Sequence, residues 1–236
     1  MTKIIGFVQL KGGVGRSTLA TNLAGTLAEA AKVALIDCDA PQYTCSHWLQ
    51  QRKDLYEIDE QLDLYQPATY KALLKLLQKL DGQYDYIIID CPPRLDGFSR
   101  VTIMLSHLVL LPLGASAAEI WSVEAMLPVL KEAKQINSNI DARIVWNRFR
   151  AYTRSAKENA EIAKRDLKLP EMRQRLGLRV AYCDAMADGL TVHETNDNNA
   201  RVEIWSLSSS VQRILSKQKK STKLSDEKIL AFAKKH

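Results

Sequence analysis

An apolar run, Ile4-Ile5-Gly6-Phe7-Val8, leads through Lys11-Gly12-Gly13-Val14-Gly15-Arg16-Ser17-Thr18 into a helical pattern over 19–28. No other stretch narrows the possible folds as far. A buried strand, a glycine-rich turn and a helix that opens on hydroxyl residues make an anion cradle. In it the backbone N–H groups and the positive end of the helix dipole converge on one point. Glycine lets the backbone approach phosphate oxygens with no Cβ in the way. The turn therefore predicts a site for the phosphates of a nucleoside triphosphate, built from Gly12, Gly13, Val14, Gly15, Arg16, Ser17 and Thr18.

The usual phosphate-binding pattern is G-x-x-x-x-G-K-[ST]. Here the loop begins with a lysine, Lys11, and the usual lysine position holds Arg16. That combination resembles the deviant Walker A motif, K-G-G-x-G-K-[ST], of the ParA/MinD family of ATPases. The resemblance implies ATP sandwiched in a homodimer, with Lys11 acting catalytically on the partner's triphosphate. It assigns Gly13 and Gly15 to the backbone cradle, Ser17 to Mg2+ and Thr18 to the α-phosphate. An arginine does not replace a compact ammonium between phosphates without consequence. ATP binding with slow turnover in the absence of a partner protein is therefore expected.

Further pieces follow in order. Residues 32–42 carry an apolar run ending in Asp37-Cys38-Asp39-Ala40-Pro41-Gln42, similar to the family's D-x-D-P-Q segment with Ala40 inserted. By resemblance Asp39 orients the attacking water, and Asp37 supports the metal and the loop. Residues 84–93 form a second apolar run ending in Asp90-Cys91-Pro92-Pro93, similar to a Walker B strand whose aspartate binds Mg2+ through water. Two more strands are expected over 107–113 and 142–148. In relatives an Asn-Arg pair ends the latter beside the adenine, which makes Asn147 the candidate for base recognition. The plain alternative is that Asn147 caps a turn.

Apolar strands alternating with helical patterns imply βαβ units. The expected fold is α/β: a three-layer P-loop NTPase fold with a mostly parallel central sheet and helices on both faces. Helices are expected over 44–52, 68–80, 116–136 (interrupted near Pro128), 159–176 and 202–215, with a last short strand over 180–182. Residues 1–215 read as one domain and 216–236 as a basic tail.

That tail carries seven lysines against Asp226 and Glu227, which is five of the chain's six net positive charges. Three readings stay open for it: a solvated segment, an arm on nucleic-acid phosphates and a membrane-surface segment. The second names Arg213, Lys217, Lys219 and Lys220 as DNA-binding residues. No apolar window reaches the eighteen residues of a membrane span. No signal peptide precedes the first strand. The four cysteines show no C-x-x-C spacing, so a reduced, cytoplasmic chain is expected. The four histidines form no ligand cluster.

The resemblance implies a short ParA-type protein that binds DNA nonspecifically as an ATP dimer. With a ParB-like adaptor it would position a plasmid or a protein cargo such as a carboxysome over the nucleoid. MinD-like membrane cycling and a P-loop biosynthetic ligase are the alternatives. The paired Lys11 and D-x-D-x-P-Q features speak against the ligase.

Overall fold

The computed structural model describes residues 2–55, 61–218 and 225–234. Seven strands form one sheet: β1 (Lys3–Phe7), β2 (Val33–Asp37), β3 (Leu62–Tyr65), β4 (Tyr86–Asp90), β5 (Leu108–Leu113), β6 (Asp141–Phe149) and β7 (Glu171–Gly177). Their order is β3-β2-β4-β1-β5-β6-β7, and every pairing is parallel. A parallel sheet needs a crossover between neighbouring strands and cover on both faces. The chain supplies α1 (Arg16–Ala28), α2 (Thr44–Leu55), α3 (Tyr70–Leu80), α4 (Gly97–Leu105), α5 (Ala117–Glu124) and α6 (Leu127–Ile136). It continues with α7 (Arg154–Leu167), α8 (Ala181–Ala187), α9 (Asn198–Ser216) and α10 (Asp226–Ala233).

Alternation along each strand divides the interior into two cores. Ile5, Phe7, Val33, Leu35, Ile88 and Val145 point to the side covered by α1, α2, α8 and α9. Ala34, Ile36, Ile87, Ile89, Ile144 and Trp146 point to the side covered by α3–α7 and α10. The expected three-layer α/β architecture is therefore present, with the P-loop at the carboxyl ends of the central strands.

Two expectations are corrected. The helix expected over 159–176 is α7 alone, which is capped by Thr153 and closes at Lys168 in a left-handed conformation (φ 51°). Pro170 follows, and β7 begins at Glu171. The apolar residues of β7, Met172 and Leu176, stand four apart and mimic a helical period, while the polar residues between them suit an edge strand. The strand expected over 180–182 is instead the start of α8.

Of the segment set apart as a basic tail, 226–233 folds as α10. It buries Ile229 and Phe232 in the same core as α4, with the Arg100 guanidinium 5.2 Å from the Phe232 ring.

Candidate functional site

A cavity of about 560 Å³ opens at the carboxyl ends of the central strands, lined by Gly12, Gly13, Gly15, Arg16, Ser17, Thr18, Asp39, Gln42, Thr44 and Pro93, and further along by Asn147, Arg148, Gly177, Leu178, Arg179, Tyr182 and Cys183. Three segments predicted from sequence meet here because β2, β4 and β1 are adjacent in the sheet. The loop takes its shape from Gly13 at φ 73° and Gly15 at φ 90°, the left-handed region that favours glycine. Gly15 is required a second time. A Cβ there would lie 2.2 Å from Asn147 Nδ2, which donates to the Val14 carbonyl at 2.8 Å. Asn147 therefore braces the loop from β6 while lining the cavity beside it.

Asp90 ends β4 with no exposed surface, and its Oδ1 has no hydrogen-bond partner. Its Oδ2 accepts from the Cys45 thiol at 3.2 Å. Burial pushes its pKa up to about 7, against a lowering hydrogen bond from Ser17. A buried carboxylate with a free oxygen beside a loop hydroxyl suits a hard divalent cation. Asp37 is arranged differently. Its Oδ2 accepts from the Ser46 amide and hydroxyl at 3.0 and 2.9 Å, and its Oδ1 from the Asp39 amide at 3.1 Å. These bonds tie the start of α2 to the end of β2. Asp39 is 7% exposed; burial raises its pKa, and Arg16 acts in the opposite direction.

Arg16 is buried and directed into the protein. Its Nε donates to the Cys91 carbonyl at 2.9 Å, and its Nη1 to the carbonyls of Gln9 and Lys11, both at 2.8 Å. Its Nη2 lies 3.8 Å from Asp39 Oδ2. Lys11 does not line the cavity. Its side chain is 41% exposed, with Nζ 4.0 Å from Glu119 Oε1, the same oxygen that accepts from Arg148 Nη2 at 2.9 Å.

The wall remote from the P-loop was not legible as a motif. Glu203, on α9, accepts from the Gly177 amide, the Tyr182 hydroxyl and Arg179, and so fixes the turn between β7 and α8. Of the expected DNA-binding residues, Arg213 and Lys217 line a second cavity of about 460 Å³ with Arg143 and Arg173 and with the carboxylates Asp141 and Glu171, Asp141 accepting from Arg143 at 2.9–3.1 Å. It lies at the amino ends of β6 and β7, the opposite end of the strands from the P-loop. Lys219 and Lys220 lie outside the described residues.

A family model described as an AAA domain matches residues 2–54 and 45–144. The Maintenance of carboxysome distribution protein A of Halothiobacillus neapolitanus is 29% identical over 191 residues, covering 78% of this chain and 84% of that protein. The chromosome-partitioning ATPase Soj of Treponema pallidum is 26% identical over 245 residues, covering 82% and 95%. A Cyanothece McdA variant solved in complex with ATP superposes with a TM-score of 0.76 at 18% identity, covering 94% of this chain and 99% of that one.

Proposed function

The chain belongs to the AAA-domain family and, within it, to the ParA/MinD ATPases, and on that premise we propose that it is a dimerising ATPase of the partition and positioning kind. In this reading it binds ATP with Mg2+, pairs face to face around the nucleotide, and in that state holds DNA without sequence preference. A ParB-like adaptor then couples it to a cargo such as a plasmid or a carboxysome, over the nucleoid in the cytoplasm.

The observation that carries the reading is the contrast between Lys11 and the rest of the loop. Arg16 and Asn147 are bonded within one chain, while the Lys11 side chain is half-exposed, off the cavity wall, and held by a long contact to Glu119. A triphosphate carries about four negative charges, and two of them cannot face each other without added cations. An ammonium from each protomer on the other's nucleotide meets that need. Trp121, Tyr152, Leu178 and Val180, large apolar residues exposed after β5, β6 and β7, add area suited to a partner on the same side.

Ser17 and Asp90 are the residues that would hold Mg2+, which when bound neutralises phosphate charge. Asp39 orients the attacking water, Gly13, Gly15 and Thr18 hold phosphate oxygens, and Asn147 stands beside the base. The groove holds Arg173, Arg213 and Lys217, with Arg143 paired to Asp141 and with Glu171 beside them, and its excess of cations supports a polyanion as the second ligand. The burial of Ile229 and Phe232 against α4 leaves α10 without its main apolar residues for lipid, which favours DNA over a membrane. No helix among the described residues is long and apolar enough to cross a membrane.

Size-exclusion with and without ATP–Mg2+, followed by a DNA shift on the ATP fraction, tests this. The chain should pair only with ATP and bind DNA only as the pair, and Lys11→Ala should bind ATP yet stay single. With about four phosphates contacted, log affinity should fall against log salt with a slope near −3.6. Pairing of Lys11→Ala equal to the parent, or DNA binding indifferent to ATP, overturns the proposal.

A further inference from the structure

Arg16 occupies the position where phosphate-binding loops place the lysine that reaches the outer phosphates, yet its head group is already committed to protein atoms. Three donated hydrogen bonds of 2.8–2.9 Å end on carbonyls of Gln9, Lys11 and Cys91. The remaining nitrogen, Nη2, faces the Asp39 carboxylate at 3.8 Å, with 6% and 10% of the two side chains exposed. Gln9 and Lys11 follow β1, Cys91 follows β4 and Asp39 follows β2, so one guanidinium spans the ends of three neighbouring strands. Gln9 is itself anchored, its Nε2 donating to the Pro112 carbonyl of β5 at 3.2 Å. Only a planar fork with several separated donors can make this set of contacts. A lysine ammonium concentrates three donors on one atom and cannot span them.

We propose that Arg16 is a positioning residue and not a phosphate ligand: its guanidinium fastens the loop to the ends of β1 and β4 and holds Asp39 in place at the rim of the cradle. This rests on the ATPase reading and deepens it. The triphosphate's charge is then met by the loop amides, the metal and the partner's lysine, and Arg16 acts on the reaction through Asp39. ATP affinity and ATP turnover should therefore respond to Arg16 very differently.

The test uses the full chain and the variants Arg16→Lys, Arg16→Gln, Asp39→Asn and the double variant Arg16→Lys with Asp39→Asn. Equilibrium titration with a fluorescent ATP analogue, single-turnover hydrolysis and thermal melting are measured for each. Arg16→Lys should keep ATP affinity within about threefold while turnover falls about tenfold or more, a change in the chemical step alone. Asp39→Asn should show the same split. The double variant should turn over no more slowly than the slower single, because both act through one carboxylate.

If Lys at position 16 preserves turnover while Gln costs about tenfold in affinity, Arg16 is a phosphate ligand and the proposal fails. It also fails if the two single effects multiply, or if affinity, turnover and melting temperature fall together. Should Arg16→Lys not fold, an ATP-bound structure of the unmodified chain decides. A guanidinium still on the Cys91 and Gln9 carbonyls supports the proposal; one moved between phosphates overturns it. An unmodified chain that binds ATP and never hydrolyses it, even with its partner, defeats the ATPase reading, and the positioning role goes with it.

Discussion

At the scale of single residues, the loop depends on a contact that its own motif does not contain. Gly15 is glycine because its φ of 90° and the Asn147 amide leave no room for a Cβ, and Asn147 arrives from a strand more than a hundred residues later. Gly15→Ala should therefore cost about 1–3 kcal/mol of stability and weaken ATP binding about tenfold or more, read by melting and nucleotide titration. Gly12→Ala is the control, since a Cβ there meets nothing within 4 Å. Its stability should stay within about 0.5 kcal/mol of the parent. The half of the cavity built from the glycine-rich loop was legible in sequence because glycines, hydroxyls and strand-end carboxylates sit at fixed local spacings. The far wall was not. Glu203 organises Gly177, Arg179 and Tyr182 from another helix, and no local pattern announces a contact between residues about 20 positions or more apart.

At the scale of elements, α10 is the piece whose packing decides most. Phe232 is 1% exposed, and Phe232→Ala should cost about 3 kcal/mol or more, lowering the unfolding midpoint in urea. If the midpoint does not move, α10 adds nothing to the fold. The central strands β1, β2, β4, β5 and β6 could be read from sequence because burial on both faces demands long apolar runs. The two edges escaped that reading. β3 has only four residues, and β7 pairs on one side only and keeps polar residues over most of its length. An edge strand needs apolar residues only where it touches a helix, so its periodicity is weak. The break near Pro128 was legible for the opposite reason: proline sits in the first turn of α6, where its missing N–H costs nothing.

At the scale of the whole molecule, the sheet carries a pH dependence at its amino end. His107, just before β5, accepts the Ile4 amide through Nδ1 at 3.0 Å, while its buried Nε2 has no partner. Burial, with Lys3 adding to it, lowers its pKa to about 4. The fold therefore prefers the neutral ring. The stability this contributes is fully present above the unfolded value near 6.5 and is lost as pH falls from there toward 4. After allowance for partial exposure, about 2 kcal/mol should disappear across that window in urea titrations. His107→Gln should remove that share of the loss.

The other end of the same strands holds the cavity, and the basic groove lies back at the amino ends. Two ligands at opposite poles do not exclude each other, so any influence between them is thermodynamic linkage, and linkage is symmetric. If that groove holds a nucleic acid, as proposed, then by whatever factor bound ATP tightens the grip on it, an added duplex must raise the equilibrium affinity for ATP by the same factor.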